Sequence, residues 1–461
     1  MVVSAVPLLG MTVFPTTEAI GNEQQTVFPS LKSEDGSYNE KYLQSLGDYF
    51  STHYAFRSEI ISVDAEIQSK VFGISNLDSV VAGKNNWLYY SSTLDNYLGR
   101  NLMSSRALFN IVHNLELTQE YLNDNNVDFL FTVAPNKNTL YPENMPGYYS
   151  KKESEERNLE KLTSMISESS LKYCDLLNVL SQSEEVLYHK QDSHWNNKGA
   201  LIAYNSILSS IEKSHDDYDG VDAVRKKNFY GDLSKMLYPS TAQCEFNYEY
   251  DIKQNYSYIT PTKSVEEAII ITENSNAEGR LYMYRDSFGN ALLPYFANAY
   301  NSAYFTKAFP VNLALEVQNQ QSDTVIFEIV ERNLNWFAES PPVIPAAKVS
   351  IPETKNAVDG ISEVKAEVSQ VNMQYISVTG CADKELCNDS SEFIVVITDN
   401  NNTEAFKAFT TSSDSSDYCF QAYIPAEYIN SESVEVSLII KNDDECFAAQ
   451  SIKTEILQVE I

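Results

Sequence analysis

Leu281-Tyr282-Met283-Tyr284-Arg285-Asp286-Ser287-Phe288-Gly289 is the stretch on which the fold turns. Its first four residues read as a buried strand, and the polar run that ends the strand leads straight into Asn290-Ala291-Leu292-Leu293-Pro294-Tyr295-Phe296-Ala297, a helix with Pro294 tolerated in its first turn. A strand that hands directly to a helix is the repeating unit of an α/β sheet. Ser287 falls on the turn between the two. A serine there is carried beyond the strand end with backbone N–H groups free beside it, which is how a nucleophile is presented; taken alone, the same serine reads as an ordinary N-cap.

Working outward, the same alternation continues on both sides. Tyr38 to Val71 has helical periodicity through Leu43, Leu46, Phe50, Phe56, Ile60 and Ile67, broken near His53 and Tyr54. Arg106 to Asn123 reads as a helix, and Val127-Asp128-Phe129-Leu130-Phe131-Thr132-Val133 as a strand of the parallel type, apolar almost throughout. A helix over Glu153 to Ser169 and a strand near Tyr173 to Leu177 follow, and downstream of Ser287 come strands at Ala303 to Thr306 and Val325 to Val330. Ser340-Pro341-Pro342-Val343-Ile344-Pro345 has the composition of a stiff linker. Beyond it short alternating strands, at Val364 to Val371, Gln374 to Val378, Phe393 to Thr398, Tyr418 to Ile424, Val434 to Ile440 and Ile452 to Val459, are separated by Asn, Asp, Ser and Gly, the pattern of a β-sandwich. An Ig-like spacer and a carbohydrate-binding module both fit that pattern.

A second motif supplies what Ser287 lacks. In Gln191-Asp192-Ser193-His194-Trp195-Asn196, extended backbone puts Asp192 and His194 on one face, so the carboxylate can accept the Nδ1 proton and leave Nε2 free as a base. The segment from Asn196 to Ile211 carries Leu201, Tyr204, Ile207, Leu208 and Ile211 at helical spacing, with Asn196 or Asn197 placed to cap it. The bland alternative, a capping aspartate with His194 and Trp195 packed beneath the helix, is weakened by the pairing with Ser287. Together the residues spell a Ser-His-Asp set.

These two segments, with the earlier Ala134-Pro135-Asn136-Lys137-Asn138-Thr139-Leu140-Tyr141 and Gly83-Lys84-Asn85-Asn86-Trp87-Leu88-Tyr89-Tyr90, resemble the SGNH-hydrolase-like domain of the alginate O-acetyltransferases AlgJ and AlgX, also called DHHW proteins. The resemblance runs from about Val27 to Trp336 and departs from the family name at Ser193, where a histidine is implied. It implies an α/β domain with a parallel sheet flanked by helices, a catalytic Asp192, His194 and Ser287, and transfer of an acetyl group through an acetyl-serine to a polysaccharide hydroxyl. The donor would come across the membrane from a membrane-bound O-acyltransferase, and the protein would be extracytoplasmic. Asn136 and Lys137, at the end of a central strand, are candidates for oxyanion or substrate contact, as are Trp195 and Arg285. Arg285 and Asp286 pair with each other equally well on paper, Glu331 and Arg332 read as a structural ion pair, and Trp87, Tyr89 and Tyr90 are core residues by default and sugar platforms by exception. With water as acceptor the same residues make an acetylesterase, and if they never converge the chain is a polysaccharide-binding scaffold.

Composition bounds these readings. The 461 residues carry 33 Lys plus Arg against 64 Asp plus Glu, a net charge of −31, which argues against nucleic acid or an anionic bilayer as partner and favours a neutral glycan, or one met at a locally basic groove. No cofactor or metal motif stands out. Four of six cysteines, Cys381, Cys387, Cys419 and Cys446, fall in the last quarter, so two disulfides and an oxidising compartment are expected there; connectivity is not readable, and Cys381 with Cys387 and Cys419 with Cys446 is the most local option. Residues 1–22, apolar over Val2 to Phe14 but too short to span a bilayer, read as the remnant of a signal peptide or anchor. The expected organisation is a catalytic domain over 23–338, a Pro-rich linker over 339–348 and an all-β sandwich over 349–461.

Overall fold

In the computed structural model the described residues are 7, 9–11, 13, 14, 16, 26–33, 36–218, 220–309, 311–369, 374–400, 402–443 and 445–457, so the stretch 1–22 lies for the most part outside them. The periodic segment that breaks at His53 is two helices, α1 (Tyr42–His53) and α2 (Arg57–Ile67). A small hairpin follows, β1 (Val80–Ala82) with β2 (Leu88–Tyr90). The chain then runs through α3 (Ser105–Asp124), β3 (Asp128–Ala134), α4 (Asn158–Ser167), β4 (Tyr173–Cys174) and α5 (Asn197–Ser210). Ser104 caps α3 by accepting from the Ala107 amide, and Asn196 caps α5 by accepting from the amides of Lys198 and Gly199.

A second hairpin, β5 (Ala223–Tyr230) and β6 (Cys244–Tyr250), flanks the short helix α6 (Asp232–Leu237). The chain returns to the main sheet through β7 (Ser257–Tyr258), β8 (Ile269–Glu273), β9 (Arg280–Tyr284), α7 (Leu293–Ala299), β10 (Ser302–Thr306), α8 (Leu313–Gln320) and β11 (Thr324–Val330). The sequence reading passes over β5 to β8. In β5 every residue but Phe229 is exposed, so the strand has no buried face to leave a period-two trace.

The seven-stranded sheet has the order β4-β3-β11-β9-β10-β8-β7. Its first five strands are mutually parallel, and β8 and β7 extend the edge antiparallel. Every residue of the central strand β11 is buried, as expected for a strand covered on both faces. Phe129, Phe131, Tyr282 and Phe327 pack on one side with α3, α4 and α8; Leu130, Met283 and Ile326 pack on the other with α5 and α7. The parallel arrangement brings the carboxyl ends of β3, β9 and β11 to one edge, where α/β sheets place ligands.

From Lys348 to Leu457 the chain forms a ten-stranded all-β unit around Val378, Phe393, Phe406, Phe420, Leu438 and Ile440. It includes strands absent from the sequence reading, among them Asn402–Thr411 and Glu445–Ala449. The Pro-rich segment before it is packed down: Pro341, Pro342, Val343 and Ile344 are buried, the Val343 amide donates to Val311 and the Ala346 amide to Tyr423. Phe409 and Tyr423 join the core on the α3 face of the sheet. Arg106, 1% exposed, donates from Nη1 to the Ser391 carbonyl at 2.6 Å. Asn114 donates to Phe337 and Thr410 carbonyls and accepts from the Thr410 amide. Among the described residues no helix is long and apolar enough to cross a membrane.

The cysteine expectation needs correction. The disulfide joins Cys381 to Cys419, 38 residues apart, and Cys174, Cys244, Cys387 and Cys446 are free thiols. The reason is register: Cys381 and Cys419 sit directly opposite each other on neighbouring antiparallel strands, Tyr375–Ala382 and Cys419–Pro425, while the local pairings do not share such a position. Closing a loop of this length restricts the unfolded chain by about 3–4 kcal/mol. Replacing both Cys381 and Cys419 by serine is therefore expected to lower the stability of the β unit by about that amount in urea unfolding, whereas Cys446→Ser leaves the midpoint nearly unchanged.

Candidate active site

The three residues singled out by their motifs converge at the carboxyl edge of the sheet. Asp192 Oδ1 lies 2.7 Å from His194 Nδ1, and His194 Nε2 lies 2.8 Å from Ser287 Oγ. The geometry makes Nδ1 the proton donor to Asp192, leaving Nε2 to accept from the serine hydroxyl. Asp192 also accepts the His194 amide on Oδ1 at 2.9 Å and the Asp232 amide on Oδ2 at 2.7 Å. Burial pushes its carboxyl up, but the hydrogen bond and charge of His194, with the two amides, outweigh that and hold it well below the usual carboxylate range. Burial likewise pulls the His194 imidazolium down; the hydrogen bond and charge of Asp192, and the charges of Asp232 and Asp286, overcome it and leave the group above its ordinary value.

The loop that carries Asp192 and His194 is shaped from beneath. Lys137, 4% exposed, donates from Nζ to the carbonyls of His189, Lys190 and Asp192 at 3.0, 3.0 and 2.6 Å. Its ammonium also faces the rings of Trp87 and Tyr89. Burial lowers it to about 8, against the pull of Asp192, Asp232 and Glu245. From the far side the β5–β6 hairpin holds the loop: Glu245 accepts the amides of Lys190 and Gln191, Phe229 stacks on His189 at 3.8 Å, and Asn247 accepts the Asn197 amide. Gly231 packs so tightly here that a Cβ would stand 2.1 Å from the Gln191 carbonyl oxygen.

The turn at Ser287 is clamped to the end of β11. Asp286 accepts the Phe288 amide on one oxygen and the Val330 amide on the other. Among the described residues no acceptor takes the Ser287 amide hydrogen. The serine opens onto a cavity of about 710 Å³ whose walls include Tyr90, His194, Phe229, Tyr230, Asp232, Lys235, Glu266 and Arg332.

Several expectations change in this setting. Lys137 and Arg285 do not line the cavity. Lys137 spends its three hydrogens on loop carbonyls, and Arg285, fully buried, donates to Val265, Glu267 and Asp286 carbonyls and to Asn290 Oδ1, so neither is free for a substrate. Arg285 does not pair with Asp286, whose oxygens are occupied by amides. Trp195 is 2% exposed and donates to the Phe288 carbonyl, tying the start of α5 to the Ser287 turn, and it also contributes to the cavity lining. Trp87 and Tyr89 are buried, and Tyr90 is the aromatic of that trio that reaches the cavity. Glu331 accepts from the Asn136 amide and Thr139 hydroxyl, and Arg332 stands over the Tyr90 ring, so the two are not partners. Asn136 is 1% exposed, outside the cavity lining, with neither side-chain polar atom partnered among the described residues.

Asp232, Phe229 and Glu245 escape a reading by local spacing, because each reaches the loop from 40 or more residues away, and His189 and Arg332 have no partner at motif spacing. Asp192, His194 and Asp232 offer ligand-type atoms within 4.8 Å of one another, but the Asp192 oxygens already accept three N–H donors.

Residues 80–277 match the SGNH hydrolase-like domain of acetyltransferase AlgX. That span contains Asp192 and His194 and ends before Ser287. Over 179 residues the chain is 24% identical to the probable alginate O-acetylase AlgJ of Azotobacter vinelandii, a match covering 38% of this chain and 44%, less than half, of that relative. Among solved structures, Bacillus cereus PatB1 aligns with a TM-score of 0.45 at 18% identity, covering 56% of this chain and 98% of its own. A DHHW family protein from Eubacterium siraeum aligns at 0.40 and 16% identity, covering 49% and 85%, and Pseudomonas aeruginosa AlgX at 0.37 and 14%, covering 78% and 94%.

Removing the Lys137 ammonium leaves three buried or partly buried carbonyls without a donor, at about 1–3 kcal/mol for the first alone. Lys137→Met is expected to unfold about 2–4 kcal/mol more easily in denaturant melts, with the His189–Asp192 amides losing hydrogen-exchange protection before the rest of the sheet.

Proposed function

We propose, from the match of residues 80–277 to the SGNH hydrolase-like domain of acetyltransferase AlgX, that the chain is an extracytoplasmic polysaccharide O-acetyltransferase working through Ser287. The observation that carries this reading is the unbroken hydrogen-bonded chain from Asp192 through His194 to the Ser287 hydroxyl at the mouth of a cavity. His194 Nε2 takes the Ser287 proton as Oγ attacks the acetyl carbonyl of the donor. The tetrahedral intermediate collapses to acetyl-serine, and the same proton goes to the leaving group. A sugar hydroxyl then gives its proton to Nε2, attacks the acetyl-serine and regenerates the free hydroxyl of Ser287.

The developing oxyanion is held by the Ser287 amide, which no described acceptor takes. The acceptor is a glycan laid along the cavity, against Tyr90, Tyr230 and Arg332. By analogy with the probable alginate O-acetylase AlgJ the acceptor is a polysaccharide; delivery of the acetyl group by a membrane-bound O-acyltransferase is what the family resemblance implies. The disulfide supports an extracytoplasmic location, since such bonds persist in oxidising compartments. Water in place of the sugar makes the same site an acetylesterase, the second reading; the partly open cavity is what favours keeping it.

Intact-mass spectrometry after incubation with a chromogenic acetyl ester is expected to detect an acetylated chain that is absent in Ser287→Ala, and acetyl-oligosaccharide when acceptors are added. Release to water alone, with every acceptor tried, would make the protein an esterase. Because His194 must be neutral to act and its imidazolium is held above the ordinary value of about 6.5, activity should fall as pH drops through a limb above that value. Asp192→Asn is expected to lower turnover by roughly 10³–10⁴-fold.

A further inference from the structure

We propose that Asp232 is a positioning residue for His194: its backbone amide fixes Asp192, and its carboxylate stands against the same edge of the imidazole as a second counter-charge when the ring takes up the Ser287 proton. This rests on the reading of His194 as the base for Ser287.

The geometry is a closed set of contacts. The Asp232 amide donates to Asp192 Oδ2 at 2.7 Å. Its carboxylate accepts the Ser193 amide at 2.9 Å and the Ser193 hydroxyl at 2.5 Å, and Oδ2 lies 3.7 Å from His194 Nδ1. Ser193, the residue between Asp192 and His194, thus holds Asp232 to the ring it flanks, with its own Oγ 3.2 Å from Nδ1. At 3.7 Å Asp232 does not replace Asp192 as the acceptor of the Nδ1 hydrogen. It acts through charge.

During proton transfer the Ser287 Oγ–H bond breaks and an Nε2–H bond forms, while the Nδ1 proton stays in place and neither carboxylate is protonated. The ring becomes a cation between two carboxylates, and both stabilise it. Asp232 also meets a cost, because burial and the charge of Asp192 push its own carboxyl up; imidazolium formation relieves that repulsion. The other titratable groups facing this pair are His189 from the loop, Lys137 beneath it, Glu245 from β6, and Asp286 and Glu266 from the Ser287 side, with Lys235 and Arg332 in the cavity wall.

The test is NMR titration of the five histidine rings in the full chain carrying Ser287→Ala, with and without Asp232→Asn. Loss of one charge at this distance is expected to lower the His194 midpoint by about one pH unit. Asp232→Ser, which removes the charge in a smaller side chain, gives the same fall if the first variant does not fold. Ser193→Ala, which keeps both carboxylates but removes the hydroxyl that holds Asp232 to the ring, gives a smaller fall than loss of the Asp232 charge. An unmoved His194 midpoint in the folded Asp232 variants would overturn the assignment. In chains with Ser287 intact, the acid limb of acetyl transfer should move to lower pH by the same amount. If no acetyl transfer is found but the midpoint still falls, the acyl-transfer reading fails while Asp232 keeps its place beside His194.

Discussion

A buried carboxylate with three N–H groups aimed at it is the constraint around which this site is built. Asp192 is 5% exposed, and an ionised carboxyl at that depth is tolerated only when its lone pairs are met. Two of the donors come from His194 itself and the third from Asp232, so satisfying the charge also fixes the imidazole and brings the start of α6 against the loop. The backbone bends to make this possible, and the bend turns the carbonyls of His189, Lys190 and Asp192 inward, where Lys137 collects them. Anion above and cation below define one another. Remove either and the loop loses the reason for its shape.

The same economy governs the serine side. The strand β9 ends where its neighbour β11 continues, and Asp286 bridges the gap by accepting the Phe288 amide of the turn and the Val330 amide of β11. Gly289 follows because a Cβ there would press within 2.6 Å of the Arg285 Cβ. Arg285 in turn fills the space behind the turn and hydrogen-bonds the chain leading into β8. Trp195 closes the circuit by donating to the Phe288 carbonyl, so the two motifs, 93 residues apart, are joined by a direct bond as well as by the His194–Ser287 contact. The loop and the turn are thus tied to one another by direct bonds within the protein.

The β unit is packed against the sheet's helical layer on the α3 side, away from the Ser287 edge. Buried Arg106 and Asn114 of α3 hydrogen-bond its backbone, and Phe409 and Tyr423 enter the core beneath that helix. Arg106, Asn110 and Asn114 of α3 donate from buried positions to its main-chain carbonyls, an arrangement that resists sliding, since each displaced donor would be left unsatisfied.

The helices and strands flanking the sheet, the two motifs and the break between α1 and α2 were legible in the amino-acid sequence, because each leaves a periodic or short-range trace: an apolar face repeats, a cap precedes a helix, Asp192 and His194 sit two residues apart. The β5–β6 hairpin left none, being exposed along one strand, and neither did Asp232, which reaches Asp192 across 40 residues. The sequence offered Lys137, at a strand end, and Arg285, beside the serine, as substrate contacts; burial and hydrogen bonding turned both inward. It also left the cysteine pairing open, and only strand register decided for Cys381 with Cys419. What the sequence alone determined is the set of residues able to do the chemistry, since reactivity resides in side-chain type and local spacing. Which of them face the cavity, and which hold the others in place, is settled by contacts between segments far apart in the chain, and those exist only once the sheet has formed.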